Sequence, residues 1–373
     1  MWHLTNACNL RCRHCYASDA TAGGPMSRAE AFSFLDHVAA LDPPALLLSG
    51  GEPLAHPDFF EYVARASSLG LRVSLSTNGT LIDARAAEFL MEKGVGYVGV
   101  SLDGGRDLND AFRGVGGAFD QAMDGIRALK NSGCRVGLRF TMARPLLRGL
   151  PEIMRASENL TVDRVCFYHF IPSGRGRDGM GLVPSRAEMR DVLRGLFEWV
   201  DRNDGTPGEV LTVGNFSDGI LLCLRLRERG DARAENALSL IARSGGGRSG
   251  RGIVSVRWDG VLFADQFSWH RPLGRWPDIG KISEPEMPTL DFGGRCGRCR
   301  WLPLCRGNMR ARAEALTGDP RGEDPGCVLE DAEIEDAWIK RSPDRPGFQR
   351  VYNPLAEPEA APQSLYQCSL KPL

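Results

Sequence analysis

Short β-type runs alternate with amphipathic helical stretches from Trp2 to about Phe170, and nothing else in the chain constrains its fold so tightly. The runs are Trp2–Thr5, Ala45–Ser49, Leu71–Thr77, Tyr97–Leu102, Arg135–Thr141 and Arg164–Phe170. Strands separated by helices cannot pair as hairpins. Each crosses back over a helix and lies parallel to its neighbour, with right-handed connections. Six such units suit an α/β fold, a partial (β/α)6 TIM-like barrel. Local punctuation agrees. Ser27 with Glu30 and Ser185 with Glu188 are capping-box signatures, opening helices that end near Leu41 and Asn203. Gly70, Gly94 and Gly133 stand where helices end in a left-handed residue.

Polar and glycine-rich residues follow these strands directly. A loop with Cys8, Cys12 and Cys15 follows the first, and Gly50-Gly51-Glu52-Pro53 the second. Asn78-Gly79 follows the third, and Ser101 and Asp103 end the fourth. The C-terminal strand ends of such a barrel build its active site, so these motifs converge on one rim. Three thiolates on one short loop can hold three corners of a four-iron cubane and leave the fourth iron without a protein ligand. An open iron can bind and reduce a small molecule, as a catalytic zinc keeps one position free. The competing readings are an incomplete zinc site and three unrelated buried cysteines. Two glycines beside a carboxylate allow close backbone approach to a ligand, and Glu52 can bind an ammonium group.

The rest of the chain bounds the problem. With 373 residues, one large domain and a smaller module are expected. A net charge of −1 points to neither nucleic acid nor an anionic membrane as partner. No apolar run reaches the roughly 20 residues that span a bilayer, and the cysteine loop begins too early to leave room for a signal peptide. Eleven cysteines without an export signal favour metal binding in a reducing cytoplasm. Ile253–Arg257 and Val261–Ala264 around Asp259-Gly260 read as a β-hairpin, and Ser244–Gly252 as a loop. Cys296, Cys299, Cys305 and Cys327 then suit either a closed zinc site or all four irons of a cluster. Cys134, Cys166, Cys223 and Cys368 fit no ligand spacing and are expected as buried or incidental thiols. Beyond about Lys340 the chain is rich in Pro and polar residues, and little independent order is expected.

The run Cys8-Asn9-Leu10-Arg11-Cys12-Arg13-His14-Cys15-Tyr16 resembles the cysteine motif of radical S-adenosylmethionine (SAM) enzymes. The resemblance implies a [4Fe–4S] cluster on Cys8, Cys12 and Cys15, with SAM on its open iron. It further implies that Gly50, Gly51 and Glu52 hold the methionyl amino group, that Ser101 and Arg139 meet its carboxylate, and that Asn78 makes a polar contact. Tyr16 would pack beside the adenine near the backbone of His14, which has no acid–base role. The Cys-x2-Cys-x5-Cys order is similar to the auxiliary module called SPASM, which implies a second [4Fe–4S] cluster. Asp265 and Met309 stand where peptide-modifying members carry further cysteines.

That departure, with Leu211–Gly219, Asp265-Gln266-Phe267 and Arg310–Asp319, resembles tetrapyrrole-modifying members acting in heme d1 biosynthesis and in the siroheme-dependent route to heme. The resemblance runs from about residue 2 to residue 330. The short leader common before the first strand is missing, and a truncated or misassigned start is expected. The implied units are a barrel at 1–180, a helical connector at 181–250, the auxiliary domain at 251–330 and a tail at 331–373. The implied reaction removes acetate or propionate side chains from a siroheme-derived tetrapyrrole through a 5′-deoxyadenosyl radical, with a flavodoxin- or ferredoxin-type donor. Oxidative decarboxylation of iron-coproporphyrin, a peptide maturase and a non-catalytic metal module are the alternatives. A flat macrocycle rimmed with carboxylates needs arginine forks, which makes Arg113, Arg175, Arg177 and Arg310 candidates, and His169 a wall residue or axial iron ligand.

Overall fold

The computed structural model describes residues 1–18, 23–177, 179–203, 207–247, 249–250, 252–277, 292–336, 338 and 367–369. Seven parallel strands lie side by side in chain order: β1 (Trp2–His3), β2 (Leu46–Ser49), β3 (Val73–Thr77), β4 (Tyr97–Ser101), β5 (Val136–Met142), β6 (Arg164–His169) and β7 (Glu209–Val213). The crossovers carry α1 (Arg28–Ala40), α2 (Phe59–Ser68), α3 (Ala84–Glu92), α4 (Arg106–Arg113), α5 (Ala118–Asn131), α6 (Leu150–Asn159) and α7 (Arg186–Arg202). Trp2, Phe34, Phe59, Tyr62, Ile126, Phe140 and Leu196 belong to one continuous buried core between helices and sheet. Both expected capping boxes are formed. Gly70, Gly94 and Gly133 all take positive φ.

The sheet goes further than the six expected strands. The span anticipated as a helical connector supplies β7, which pairs in parallel with β6, before α8 (Ser217–Glu228) and α9 (Ala234–Ser244). Glu209–Val213 is a short β-branched run, and it covers an edge of β6 that would otherwise leave backbone donors unpaired. The expected hairpin forms as β8 (Ser255–Val256) and β9 (Val261–Phe263), antiparallel, followed by β10 (Pro272–Arg275). It does not stand apart from the barrel. Its first strand pairs with β1 through Trp2 and Val256, and the Met1 ammonium donates to the Val254 carbonyl at 2.8 Å. At the opposite edge β11 (Gln367–Ser369) runs antiparallel to β7, in a tail whose other residues beyond Trp338 lie outside the described ones. Among the described residues, no helix is long and apolar enough to cross a membrane.

Four short helices, α10 (Gly294–Arg298), α11 (Leu302–Cys305), α12 (Arg310–Thr317) and α13 (Asp331–Ile334), build the C-terminal module. A buried ion pair joins it to the barrel. Arg312 donates from Nε and Nη2 to the two Asp324 oxygens at 2.8 and 2.7 Å, and from Nη1 to the Gly214 carbonyl after β7. Asn308 accepts from the Phe216 amide at 2.6 Å, and Asn215 donates to the Gly326 carbonyl at 2.9 Å. Removing one member of a buried ion pair strands the other, which costs about 3–5 kcal/mol. Arg312→Met is therefore expected to lower the unfolding free energy by about that much in urea titrations; an unchanged midpoint would show that the joint contributes no stability.

Candidate active site

The cysteine loop rests on the C-terminal strand ends and is held there along its backbone. The Gly51 and Glu52 amides donate to the Thr5 and Ala7 carbonyls at 2.7 and 2.8 Å. From the other side, the Arg11 and Arg13 amides donate to Arg113 and Phe112, the carbonyls that end α4, each at 2.9 Å. Asn78 after β3 donates to Asn9 at 2.9 Å, and Asn9 in turn to Thr80 at 2.7 Å. After β6, the Arg175 amide reaches the Cys15 carbonyl and its Nε the Cys12 carbonyl, at 2.9 and 3.0 Å. A Cβ on Gly51 would collide with the Ala7 carbonyl, and one on Gly174 with the Cys15 carbonyl. The sequence reading assigned Gly50 and Gly51 to close approach of a ligand. What approaches them here is the loop's own main chain, because a strand end and a ligand loop cannot stack this closely over side chains.

Cys8 is exposed, Cys12 and Cys15 are half-buried, and all three are free thiols. Burial pushes the Cys8 thiol up to about 11 and raises Cys12 as well. Opposing this, the Leu10 amide points at the Cys8 sulfur at 3.4 Å and Arg113 Nη1 at the Cys12 sulfur at 3.7 Å. Such a loop holds thiols when empty and thiolates under a cationic centre, so loading releases protons. The donor set fits a cluster that takes one thiolate per iron.

Around the loop stand the residues expected to meet SAM. Ser101, the last residue of β4, is paired in register with Arg139 in the middle of β5. The Arg139 guanidinium lies over the Tyr168 ring at 4.6 Å, and no carboxylate pairs with it among the described residues. Tyr16 contacts Ser49 through its hydroxyl at 3.3 Å and meets the rings of Phe267 and Trp269 edge-on. Asp265, standing where a cysteine was expected, is buried and accepts from the Phe267 and Ser268 amides at 2.9 and 3.0 Å. It thereby shapes the turn that carries these rings. Met309 is buried, its amide donating to Asp324. Trp269 and His3, whose rings lie 5.3 Å apart, extend this aromatic wall and were missed; the inward alternation of β1 is the one signal that marks His3.

Three of the residues expected at the substrate are placed otherwise. Arg113 is buried, its Nη2 2.6 Å from Asp103, so it has no open face for a carboxylate. His169 is buried with Nε2 2.7 Å from Asp218, so only Nδ1 would remain for a ligand. Arg310 donates to the Pro320 and Gly322 carbonyls, lies over Phe292 and belongs to the C-terminal module. Arg175 and Arg177 remain exposed on the strap after β6.

Cys296, Cys299, Cys305 and Cys327 line one cavity, together with Asn308 and with Ser217 from α8. Burial raises all four thiols, Cys299 to about 11. Among the described residues, no group of three or more His, Cys, Asp or Glu closes around a single metal ion. Cys134, Cys166 and Cys223 are buried free thiols away from both sets; the side chain of Cys368 lies outside the described residues.

Glu52 is fully buried. Thr77 Oγ1 and the Leu54 amide donate to one oxygen at 2.7 and 3.2 Å, and the Asn78 amide to the other at 2.7 Å. Burial outweighs these donors and lifts the carboxyl from 4.5 to about 7. Folding therefore takes up a proton at Glu52 between those values, and stability falls as pH rises through that window. In urea titrations the metal-free wild type is expected to lose stability relative to Glu52→Gln from pH 5 to 8. A constant difference would show that Glu52 stays ionised.

Residues 2–156 match the Radical SAM superfamily. The Fe-coproporphyrin III synthase of Methanosarcina barkeri is 39% identical over 90% of this chain and 88% of its own. The pre-heme d1 synthase of Dinoroseobacter shibae is 34% identical over 89% and 86%. The structure of native anSMEcpe with bound AdoMet and Cp18Cys peptide superposes with a TM-score of 0.66 at 20% identity, over 87% of this chain and 92% of that one. With its three-cysteine loop clamped on the rim of a partial barrel, and with relatives this similar along nearly its whole length, the chain belongs to the radical SAM superfamily of enzymes.

Proposed function

We propose that this enzyme removes acetate side chains from a siroheme-derived tetrapyrrole, using two [4Fe–4S] clusters. The observation that carries this reading is the 39% identity to a relative named for Fe-coproporphyrin III, over 90% of the chain and so including the C-terminal cysteine module. Family membership brings one [4Fe–4S] cluster, for Cys8, Cys12 and Cys15, and SAM. Together, when bound and reduced, they supply a 5′-deoxyadenosyl radical that takes hydrogen from the substrate side chain. The protein's part is placement. Arg139 with Ser101 offers a cation and a hydroxyl to the methionyl carboxylate. Glu52 keeps the Gly50-Gly51 ledge and Asn78 in position. Tyr16 packs beside the adenine, Phe267 and Trp269 next to it give a flat apolar macrocycle a wall, and the exposed Arg175 and Arg177 serve the rim carboxylates.

The second cluster is assigned to Cys296, Cys299, Cys305 and Cys327. Their common cavity supports it. It would serve late electron transfer or substrate support, with a flavodoxin- or ferredoxin-type protein as the electron donor. Free thiols of this number suit the cytoplasm.

Anaerobic incubation with SAM, a reductant and didecarboxysiroheme, followed by mass spectrometry, is expected to show stepwise loss of acetates. Loss of propionates instead would transfer the enzyme to the heme d1 branch, and no mass change with either substrate or iron-coproporphyrin would end the tetrapyrrole assignment. The reconstituted enzyme is expected to bind about eight irons, and Cys296→Ala/Cys299→Ala about four. That variant should still form 5′-deoxyadenosine and lose product. Zinc in the C-terminal site, or undiminished turnover, would refute the second cluster.

A further inference from the structure

Behind Cys12 lies a buried charge pair that neither SAM nor substrate explains. Arg113 Nη1 is 3.7 Å from the Cys12 sulfur, while Nη2 is 2.6 Å from Asp103 Oδ2. Asp103 is itself fixed. Its Oδ1 accepts from the Thr141 amide at 3.0 Å, and its own amide donates to Asn109 at 3.0 Å. His14 Nε2 lies 3.5 Å from the same Oδ2. Arg113 also grips the loop through its main chain, its carbonyl accepting from Arg11. Gly114, at φ +74, ends α4 there, and a Cβ on it would strike the Arg11 carbonyl. The guanidinium is buried, yet its Nε has no partner.

We infer that Arg113, held by Asp103, sets the reduction potential of the cluster on Cys8, Cys12 and Cys15. The inference rests on the assignment of that cluster. Reduction adds one negative charge to the iron–sulfur core. A cation donating to a ligand sulfur stabilises the reduced form, and cluster potentials respond to net charge and to hydrogen bonds at sulfur. In a buried setting this interaction is little screened. Asp103 has the opposite sign and lies one guanidinium further from the sulfur, so it holds Arg113 in place while offsetting part of its effect. Arg113 is thus a positioning and tuning residue, and the pair has an electrical signature that a purely structural role lacks: removing its two members should move the potential in opposite directions.

The test is a potentiometric titration of the full-length reconstituted protein, following the electron paramagnetic resonance signal that changes on adding SAM. Arg113→Gln is expected to lower the midpoint so that the ratio of reduced to oxidised cluster at the wild-type midpoint falls at least tenfold, a shift of about 59 mV or more for one electron. Asp103→Asn is expected to raise it. Arg113→Lys, which keeps the charge but loses the fork, should lie between Arg113→Gln and wild type. If a single variant fails to fold, the charge-neutral double variant Arg113→Gln/Asp103→Asn reports instead, with a midpoint below wild type and above any measured for Arg113→Gln. Iron retained with unchanged midpoints, or both single variants shifting the same way, would overturn the inference. A wild-type protein that binds no iron at Cys8, Cys12 and Cys15 would instead overturn the cluster assignment beneath it.

Discussion

The short contact between two main chains at the barrel rim is the constraint on which the site depends. Gly50-Gly51 after β2 lies so close to Thr5, Asn6 and Ala7 that no side chain fits between them, and the Gly51 and Glu52 amides tie the loop down. A loop of free thiols has no hydrophobic reason to sit on a strand end. It stays because its backbone groups are satisfied there, as buried polar groups must be. The ends of α4 and β6 repeat the arrangement on the loop's other flanks, so three cysteines seven residues apart at most are presented by a rigid scaffold.

Charge is arranged around this loop with equal economy. Glu52, Asp103 and Arg113 are buried under it, and each is engaged by backbone amides or by an opposite charge. Burial holds Cys8 and Cys12 as thiols without a metal, while Arg113 and neighbouring amides favour the thiolate once a cationic centre is present. Arg139 lies over Tyr168 with no carboxylate partner among the described residues.

The C-terminal module is joined to the barrel by polar contacts as well as apolar packing. Arg312–Asp324 and the Asn215–Asn308 amides connect the end of β7 to the cavity lined by Cys296, Cys299, Cys305 and Cys327. Ser217, which lines that cavity, accepts from the Val328 amide next to Cys327. The second set of cysteines is therefore fixed in position relative to the strand ends that carry the first. Asp265, in place of a ligand, instead shapes the turn that brings Phe267 and Trp269 to Tyr16.

Much of this was legible in residue order because its physical causes are local. Alternating strands and helices, two capping boxes, left-handed glycines and the spacing of Cys8, Cys12 and Cys15 depend on neighbours a few positions apart. The seventh barrel strand was harder to see, since Glu209–Val213 is too short to declare itself without the β6 edge it covers. Side-chain roles at the rim were not legible at all. Arg113 and Arg177 are both arginines beside glycines in sequence, yet one is buried against Asp103 and Cys12 and the other is exposed. By itself, then, the sequence determined the barrel, the three-cysteine loop on its rim and the family, because pattern and spacing act along the chain. Only the tertiary structure decided which charges are buried around the loop and which stay exposed, because that depends on which strand end each residue meets and on whether water still reaches it there.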